Sequence, residues 1–357
     1  MRILQLIDSL ATGGAEMMAV NYAIALSTRI DSSYLCAGRK EGSLKEKISS
    51  EVGYLFLDRK SVVDIAAVLR LYRFLKKENI DIIHAHGSSY FLATLVKFLI
   101  PSIGLIFHFH HGNIAAQKKF KLYVLKFCST FCGAIFCVSK DIHNWAVDNL
   151  NSSGIFVIRN FIFQNGDSKL LELPGTEGKR LVHLANWRYP KDHLTLIKAF
   201  DLASKKTDGL TLHLIGKVFN DDYAKYVKLK IADSPYKNLI FIHGEQEQPQ
   251  DFLTVCDVGL LTSQYEGLPV AILEYGLAGL PVVATAVGEI PHLLENRGIC
   301  VPANDAEVLA GAVLNLLNDK CLSKQYGNNF KIYIENNYLA DKILPEVIAI
   351  YDDILRR

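Results

Sequence analysis

Several common signatures are missing from these 357 residues, and each absence excludes a class of function. The seven cysteines, Cys36, Cys128, Cys132, Cys137, Cys256, Cys300 and Cys321, form no Cys-x-x-Cys pair and no evident zinc spacing. Most sit in apolar stretches, as buried free thiols do, and that fits a reducing, cytoplasmic compartment. No charge of one sign dominates. The 39 Lys+Arg and 37 Asp+Glu leave a net charge of +2, so a strongly basic nucleic-acid binder is not the starting point and no nucleic-acid partner is expected. No secretory leader is visible, because the apolar run from Ile3 to Ile7 is short and ends at Asp8. The one stretch that mimics a membrane span, Tyr90 to Phe109, holds Lys97 and is interrupted by Pro101 and Gly104. A helix near 88–99 followed by a strand near 103–109 accounts for it better. With 50% hydrophobic residues, disorder is excluded too.

What is present is a repeating alternation. Arg2 to Asp8 reads as a short buried strand, Ser9 to Glu16 as a glycine-containing loop, and Met17 to Ser27 as a helix. Val62 to Lys77 reads as an amphipathic helix. Asp81 to His86, Leu105 to His110 and Ala134 to Val138 read as strands, the last leading into a helix cap at Ser139. After a strand at Ile155 to Ile158, a run with Asn160, Asn165, Gly166, Pro174, Gly175 and Gly178 marks a boundary. A second alternating series follows, with strands at Arg180–Ala185, Leu210–Ile215, Leu239–His243, Val258–Leu261 and Pro281–Ala284.

The expectation is an α/β protein of two doubly wound domains facing across a cleft: residues 1–165, residues 178–335, and a C-terminal segment 336–357. The helix Leu344 to Leu355 in that segment is expected to cross back to the first domain. Ligands of such sheets bind beyond the carboxyl ends of the strands. The near-neutral total conceals an asymmetry. Residues 1–160 hold 19 Lys+Arg against 12 Asp+Glu, a surplus of seven, and the rest hold 20 against 25, a deficit of five.

The densest chemistry lies at Ser263-Gln-Tyr-Glu266-Gly267-Leu268-Pro269, running into Val270 to Glu274. Pro269 suits a first helical turn, which places the Gly267 and Leu268 amides at a helix N-terminus that favours anions. Glu274 lies one turn further, inside an apolar run. A carboxylate is costly there unless paired, and a diol satisfies it; a side chain turned to solvent is the alternative. Glu266 and Glu274, with Gly279-x-Pro281-Val-Val-Ala-Thr and Gly288 after them, resemble the Glu-x7-Glu signature of the retaining glycosyltransferases of family 4. Leu10 to Glu16 with Gly13 and Gly14, Asp81 to His86, Val157 to Asn160, and Val182 to His193 resemble further landmarks of that family in the same order. The resemblance runs over about residues 3–335.

The resemblance implies a GT-B fold and transfer of a sugar, with retention, from a nucleotide-sugar donor to a glycan or lipid-linked acceptor in cell-surface polysaccharide synthesis. It implies that Glu274 binds the nucleotide ribose, and that Glu266 with the Gly267 and Leu268 amides binds the donor sugar. Lys191 matches the family's diphosphate-binding lysine. Asn186 stands where the family has arginine, and Arg188, two residues on, is expected to take over that work. Gly216 and Gly244 stand where backbone approaches the base, although ordinary strand-end turns explain them equally. Gly13 and Gly14 let backbone approach the donor diphosphate or the acceptor, and Glu16 suits a first helical turn.

A histidine of the run His108-Phe-His110-His111-Gly112-Asn113 is expected at the donor sugar, with His110 and His111 favoured as catalytic together with Glu266. A clustered metal site is the rival reading of that run. No Asp-x-Asp motif is present, and no metal or other cofactor is expected. Lys118-Lys119-Phe-Lys121-Leu-Tyr-Val-Leu-Lys126-Phe127 suits either an anionic membrane surface, at the inner face of the membrane, or an amphipathic helix packing on its own sheet. A GT-B nucleotide-sugar epimerase and a non-catalytic nucleotide-sugar-binding protein are the alternatives to a transferase.

Overall fold

The computed structural model describes residues 1–110, 119–152, 154–164, 166 and 171–356. They form two compact units, Met1–Phe161 with Ala340–Arg357, and Ile162–Leu339.

The first unit is built on β1 (Arg2–Ser9), α1 (Gly14–Ser27), β2 (Ser32–Lys40), β3 (Gly53–Phe56), α2 (Ile65–Lys77), β4 (Ile82–His86), α3 (Tyr90–Leu99), β5 (Gly104–Phe109), α4 (Lys119–Ser129), β6 (Ala134–Cys137), α5 (Lys140–Asn149) and β7 (Ile155–Val157). Its seven strands are ordered β3-β2-β1-β4-β5-β6-β7, and every pairing is parallel. The near-continuous apolar runs follow from that arrangement, since helices cover both faces of a parallel sheet. The strand order reverses between β1 and β4, so their carboxyl ends open a crevice.

The second unit runs β8 (Arg180–Leu184), α6 (His193–Ser204), β9 (Thr211–Ile215), α7 (Asp222–Asp233), β10 (Ile240–Gly244), α8 (Gln250–Leu253), β11 (Val258–Leu261), α9 (Val270–Leu277), β12 (Val282–Thr285), α10 (Ile290–Leu294), β13 (Ile299–Val301), α11 (Ala306–Asn318) and α12 (Lys320–Asn337). Its six parallel strands are ordered β10-β9-β8-β11-β12-β13, with the reversal between β8 and β11. Entry and exit of this unit lie side by side, since Ile162 N–H donates to Tyr338 O at 3.0 Å. The chain then returns to the first unit as α13 (Ala340–Arg356), which buries Ile343, Leu344, Val347 and Tyr351.

Local chemistry shifts several expected boundaries. Helix α1 starts at Gly14, before Met17, with Gly13 as an extended N-cap. Helix α2 starts at Ile65 rather than Val62, because the Asp64 carboxylate accepts from Ala67 N–H at 3.0 Å and caps it there. Helix α13 starts at Ala340 rather than Leu344 and carries Pro345 inside it. Strands β2, β3 and β13 have no counterpart in the sequence reading. β2 has polar residues at both ends, β3 is a half-buried edge strand of four residues, and β13 has only three.

Candidate functional site

In the second unit the reversal point between β8 and β11 gathers most of the expected residues. Beyond β8 the chain keeps to β9 for one more step, with Trp187 N–H donating to Lys217 O at 2.9 Å. It then turns through Arg188, Tyr189, Pro190 and Lys191, and Lys191 N–H donates to Arg188 O at 2.9 Å. Asp192 closes the loop in a left-handed conformation, φ 46°, and caps α6 by accepting from Thr195 N–H and Thr195 Oγ1 at 3.2 and 2.7 Å. The loop after β11 is tied to this one. Thr262 Oγ1 lies 2.9 Å from Lys191 O and 3.1 Å from Asp192 O, and Gln264 N–H donates to Pro190 O at 2.9 Å.

That tethering brings Lys191 Nζ onto the Glu266 carboxylate as an ion pair, both side chains being largely buried. Arg188 is exposed, and its side chain makes no ion pair among the described residues. Asn186 does different work from its neighbours, since its Oδ1 accepts from Lys217 N–H at 2.9 Å and fixes the turn after β9. Gly216 is required by close approach. Its φ is +144°, and a Cβ there would lie 2.1 Å from Ala185 O. Gly244, φ +69°, faces open space, and its carbonyl accepts from Gly216 N–H at 2.8 Å. Lys217 and Glu245 pair at 3.3 Å beside them.

The start of α9 corrects an expectation. Pro269 is the N-cap, with extended backbone (ψ 132°), and the helix begins at Val270. Gly267 and Leu268 therefore belong to the preceding loop, outside the first turn. This loop is held from behind: Gly267 O accepts from Glu289 N–H at 3.0 Å, and a Cβ on Gly288 would lie 2.4 Å from Glu266 O. Glu274 is half-buried on the second turn of α9.

The next residue, Tyr275, went unnoticed in the sequence. Its hydroxyl accepts from Leu184 N–H at 2.6 Å and donates to Leu260 O at 3.0 Å, bridging β8 and β11 where they separate. Thr262 was missed as well. Its only sequence signal was a hydroxyl at the end of a buried strand. Beneath the loop, burial with help from nearby His193 and Lys191 holds His183 well below its ordinary value, and burial pushes His193 down to about 3.

In the first unit, Gly13 and Gly14 sit at the carboxyl edge of β1. A Cβ on Gly13 would strike the Glu16 carboxylate at 2.2 Å, so Glu16 folds back over the start of α1, where the helix dipole favours it. Gly14 meets nothing within 4 Å. His84, His86, His108 and His110 share one face of β4 and β5. Their rings stack, with centroids 4.5 Å apart for His84 and His86 and 4.0 Å for His108 and His110. His86 Nε2–H donates to Gln5 Oε1 at 2.8 Å, so His86 Nδ1 accepts from His110 Nε2–H at 2.9 Å. That places a proton on His110 Nε2. His84 is bonded to Tyr351 of α13 at 2.6 Å and to His108 at 3.1 Å.

His84, His86 and His108 bring ligand atoms within 4.8 Å of one another. Their planes are nearly parallel, at 10° to 30°, and ring nitrogens of His84 and His108 already bond each other at 3.1 Å. The geometry builds a hydrogen-bonded stack. Burial holds His84 and His108 well below their ordinary value and pushes His86 down to about 3, so these three rings are neutral. His111 lies outside the described residues.

Two family models match the chain in tandem: "Glycosyltransferase Family 4" over residues 12–163 and "Glycosyl transferases group 1" over residues 172–332. Among characterised relatives, N-acetyl-α-D-glucosaminyl L-malate synthase of Bacillus anthracis is 23% identical over 308 residues, 82% of this chain and 80% of that one. UDP-Gal:α-D-GlcNAc-diphosphoundecaprenol α-1,3-galactosyltransferase of Escherichia coli is 21% identical over 375 residues, 97% of this chain and 95% of that one. Among solved structures, Anabaena HepE in complex with UDP and glucose superposes with a TM-score of 0.83 at 17% identity, covering 99% of this chain and 100% of that one.

Proposed function

The chain belongs to the glycosyltransferases of family 4 and group 1, with the two-unit Rossmann-like GT-B architecture, and on that premise we propose that it moves a hexosyl group, with retention, from a nucleotide sugar bound by the second unit to a glycan or lipid-linked acceptor bound by the first. The observation that carries this reading is the Lys191–Glu266 ion pair at the β8–β11 reversal, with the exposed Arg188 in the same loop as Lys191 and Glu274 on the helix that follows. As the glycosidic bond breaks, negative charge builds on the departing diphosphate. Two cations aimed at it stabilise that charge more than they stabilise the ground state. They supply the compensation themselves, so the proposal needs no metal ion.

Glu266 takes hydroxyls of the donor sugar and Glu274 those of the ribose. Lys191 holds Glu266 as a partner until the diphosphate arrives, and the cation then serves both. His110, just past the end of β5, is assigned to a hydroxyl of the donor sugar, with its ring held by His86. A UDP-sugar is the first donor to try, since the name of one relative includes UDP-Gal and a structural neighbour holds UDP. Relatives named for capsular polysaccharide synthesis support a role in cell-surface glycans.

The surface of α4 supports contact with an anionic membrane. It buries Leu125 and Cys128 but exposes Phe120, Tyr123 and Phe127 by 77%, 73% and 59%, beside Lys119, Lys121 and Lys126. Phe91, Phe98, Tyr123 and Phe127 line an apolar groove of about 340 Å³ between α3 and α4. Aromatic and basic residues on one helix face suit the inner leaflet.

Calorimetric titration of UDP, GDP and ADP into the wild type and Glu274→Ala tests the donor assignment. One nucleotide is expected to bind the wild type, and Glu274→Ala to weaken it at least about tenfold, the value of one lost charge-assisted hydrogen-bond set. Equal affinities would remove Glu274 from the site. Incubation with nucleotide sugars alone separates the epimerase alternative, which forms an epimer without an acceptor.

A further inference from the structure

The carboxyl edge of the first unit carries a second charged constellation that the donor reading leaves unused. Asp8 ends β1. Its Oδ1 pairs with Arg59 Nη2 at 2.6 Å and lies 3.8 Å from Arg39 Nε, and its Oδ2 accepts from Ser88 Oγ at 2.7 Å. A register irregularity aims these groups. Ile7 is paired with Ala37, but Ser9 with Lys40, so Asp8 faces both Gly38 and Arg39 across a bulge in β2. Such bulges re-aim side chains and gather near functional sites. Gly38 permits the approach, since a Cβ there would already lie 3.0 Å from Asp8 Oδ1.

The charges do not balance. Two guanidinium groups share one carboxylate, and Asp64 and Arg70 nearby add one charge of each sign. Arg59 is only 4% exposed, and its Nε has no hydrogen-bond partner among the described residues. A buried cation with an unused donor is costly, and an anion removes the cost. The Arg39 side chain is 34% exposed, so the cluster opens to solvent on that side. Next to it Gly87, at φ +56°, leaves open space beside Ser88.

We propose that Arg39 and Arg59, set about Asp8 and Ser88 at the ends of β1 and β2, bind an anionic group of the acceptor, a phosphate ester or a carboxylate. The planar guanidinium fork matches either group with two parallel hydrogen bonds. Arg59, held from behind by Asp8, supplies fixed charge, and Arg39 closes on the anion from the solvent side. The anion site stands on the geometry alone. Its assignment to the acceptor rests on the transferase reading.

The test uses full-length protein carrying Arg188→Gln and Lys191→Gln, so that the loop after β8 does not contribute. Thermal unfolding is followed with inorganic phosphate, with succinate, and with KCl at matched ionic strength. At least one of the two anions is expected to raise the melting temperature above the KCl control, and adding Arg39→Gln is expected to abolish the rise. Arg39→Lys, which keeps the charge and loses the fork, is expected to fall between. Arg39 is on the open side of the cluster, so its variants are expected to melt with the parent in KCl. No rise over KCl, or the same rise in Arg39→Gln, overturns the site. With an active acceptor in hand, Arg39→Gln in the otherwise wild-type chain is expected to raise the acceptor KM at least tenfold and leave the donor KM unchanged. Equal acceptor KM values overturn the acceptor assignment even if transfer itself is intact.

Discussion

Removing the Tyr275 hydroxyl tests how the donor-side loops are held. Strands β8 and β11 are paired from Leu181 with Val258 to His183 with Leu260. At the next step they part, and the Tyr275 hydroxyl fills the gap between Leu184 N–H and Leu260 O. These ends lead directly into the loops that carry Lys191 and Glu266. Tyr275→Phe keeps the ring in its buried site and removes only the bridge. An amide left without a partner in the interior costs about 1–3 kcal/mol, and the lost donor to Leu260 O adds to that, for a total of roughly 2–4 kcal/mol. A unit of this size melts about 2–4 °C lower for each kcal/mol, so the unfolding transition is expected to fall by roughly 5–15 °C. Differential scanning calorimetry reads the shift, and the donor KM of the same variant is expected to rise as the two loops separate. An unchanged transition would refute the reasoning, because it would mean that the bridge is replaced at no cost.

Other perturbations address different parts of the molecule. His84, His86, His108, His183 and His193 are neutral when folded, with His86 and His193 pushed down to about 3, and take up protons on unfolding below their ordinary value near 6.5. Their contribution is therefore complete above about pH 6.5 and is lost as pH falls toward 3, at about 1.4 kcal/mol per pH unit for each histidine. Urea midpoints at pH 7.5 and pH 5 check this, and a midpoint that does not fall at pH 5 contradicts it. Gly288→Ala pushes a methyl to within 2.4 Å of Glu266 O at a backbone φ of +55°. It is expected to weaken donor binding more than tenfold, by displacing the Glu266 loop, and titration with the donor nucleotide measures the loss. Replacing Phe120, Tyr123 and Phe127 together by Ser is expected to abolish sedimentation with phosphatidylglycerol vesicles while leaving the melting temperature in place, since these rings are exposed. Equal sedimentation would move any membrane contact away from α4.

The second unit was the more legible half. Glycine and proline punctuation around Glu266 and the apolar run into Glu274 located the loop and helix. Resemblance to the family's phosphate-binding loop, over Val182 to His193, pointed to Asn186, Arg188 and Lys191. What the sequence did not reveal depends on register. Strand alternation puts His108 and His110 on one face, but only the pairing of His86 with His108 builds the four-ring stack. Gln5, far away in the chain, sets the His86 tautomer. Tyr275 reads as one more apolar residue in a helix, because its hydroxyl partners come from two other strands. Asn186 is engaged with the backbone of Lys217, a contact that depends on the neighbouring strand β9, whereas Arg188 beside it is exposed. Asp8, Arg39 and Arg59 are brought together by a bulge that no periodicity announces.

The central claim is that cations of the β8 loop stabilise a departing nucleoside diphosphate during sugar transfer. The most direct test is the initial rate of transfer from a saturating UDP-sugar to a polyprenyl-diphosphate-linked saccharide, compared between the wild type and Lys191→Gln. The account predicts a fall in kcat of about 10²–10³, the usual loss when one preorganised charge-stabilising donor is removed. Unchanged kcat in Lys191→Gln would contradict it.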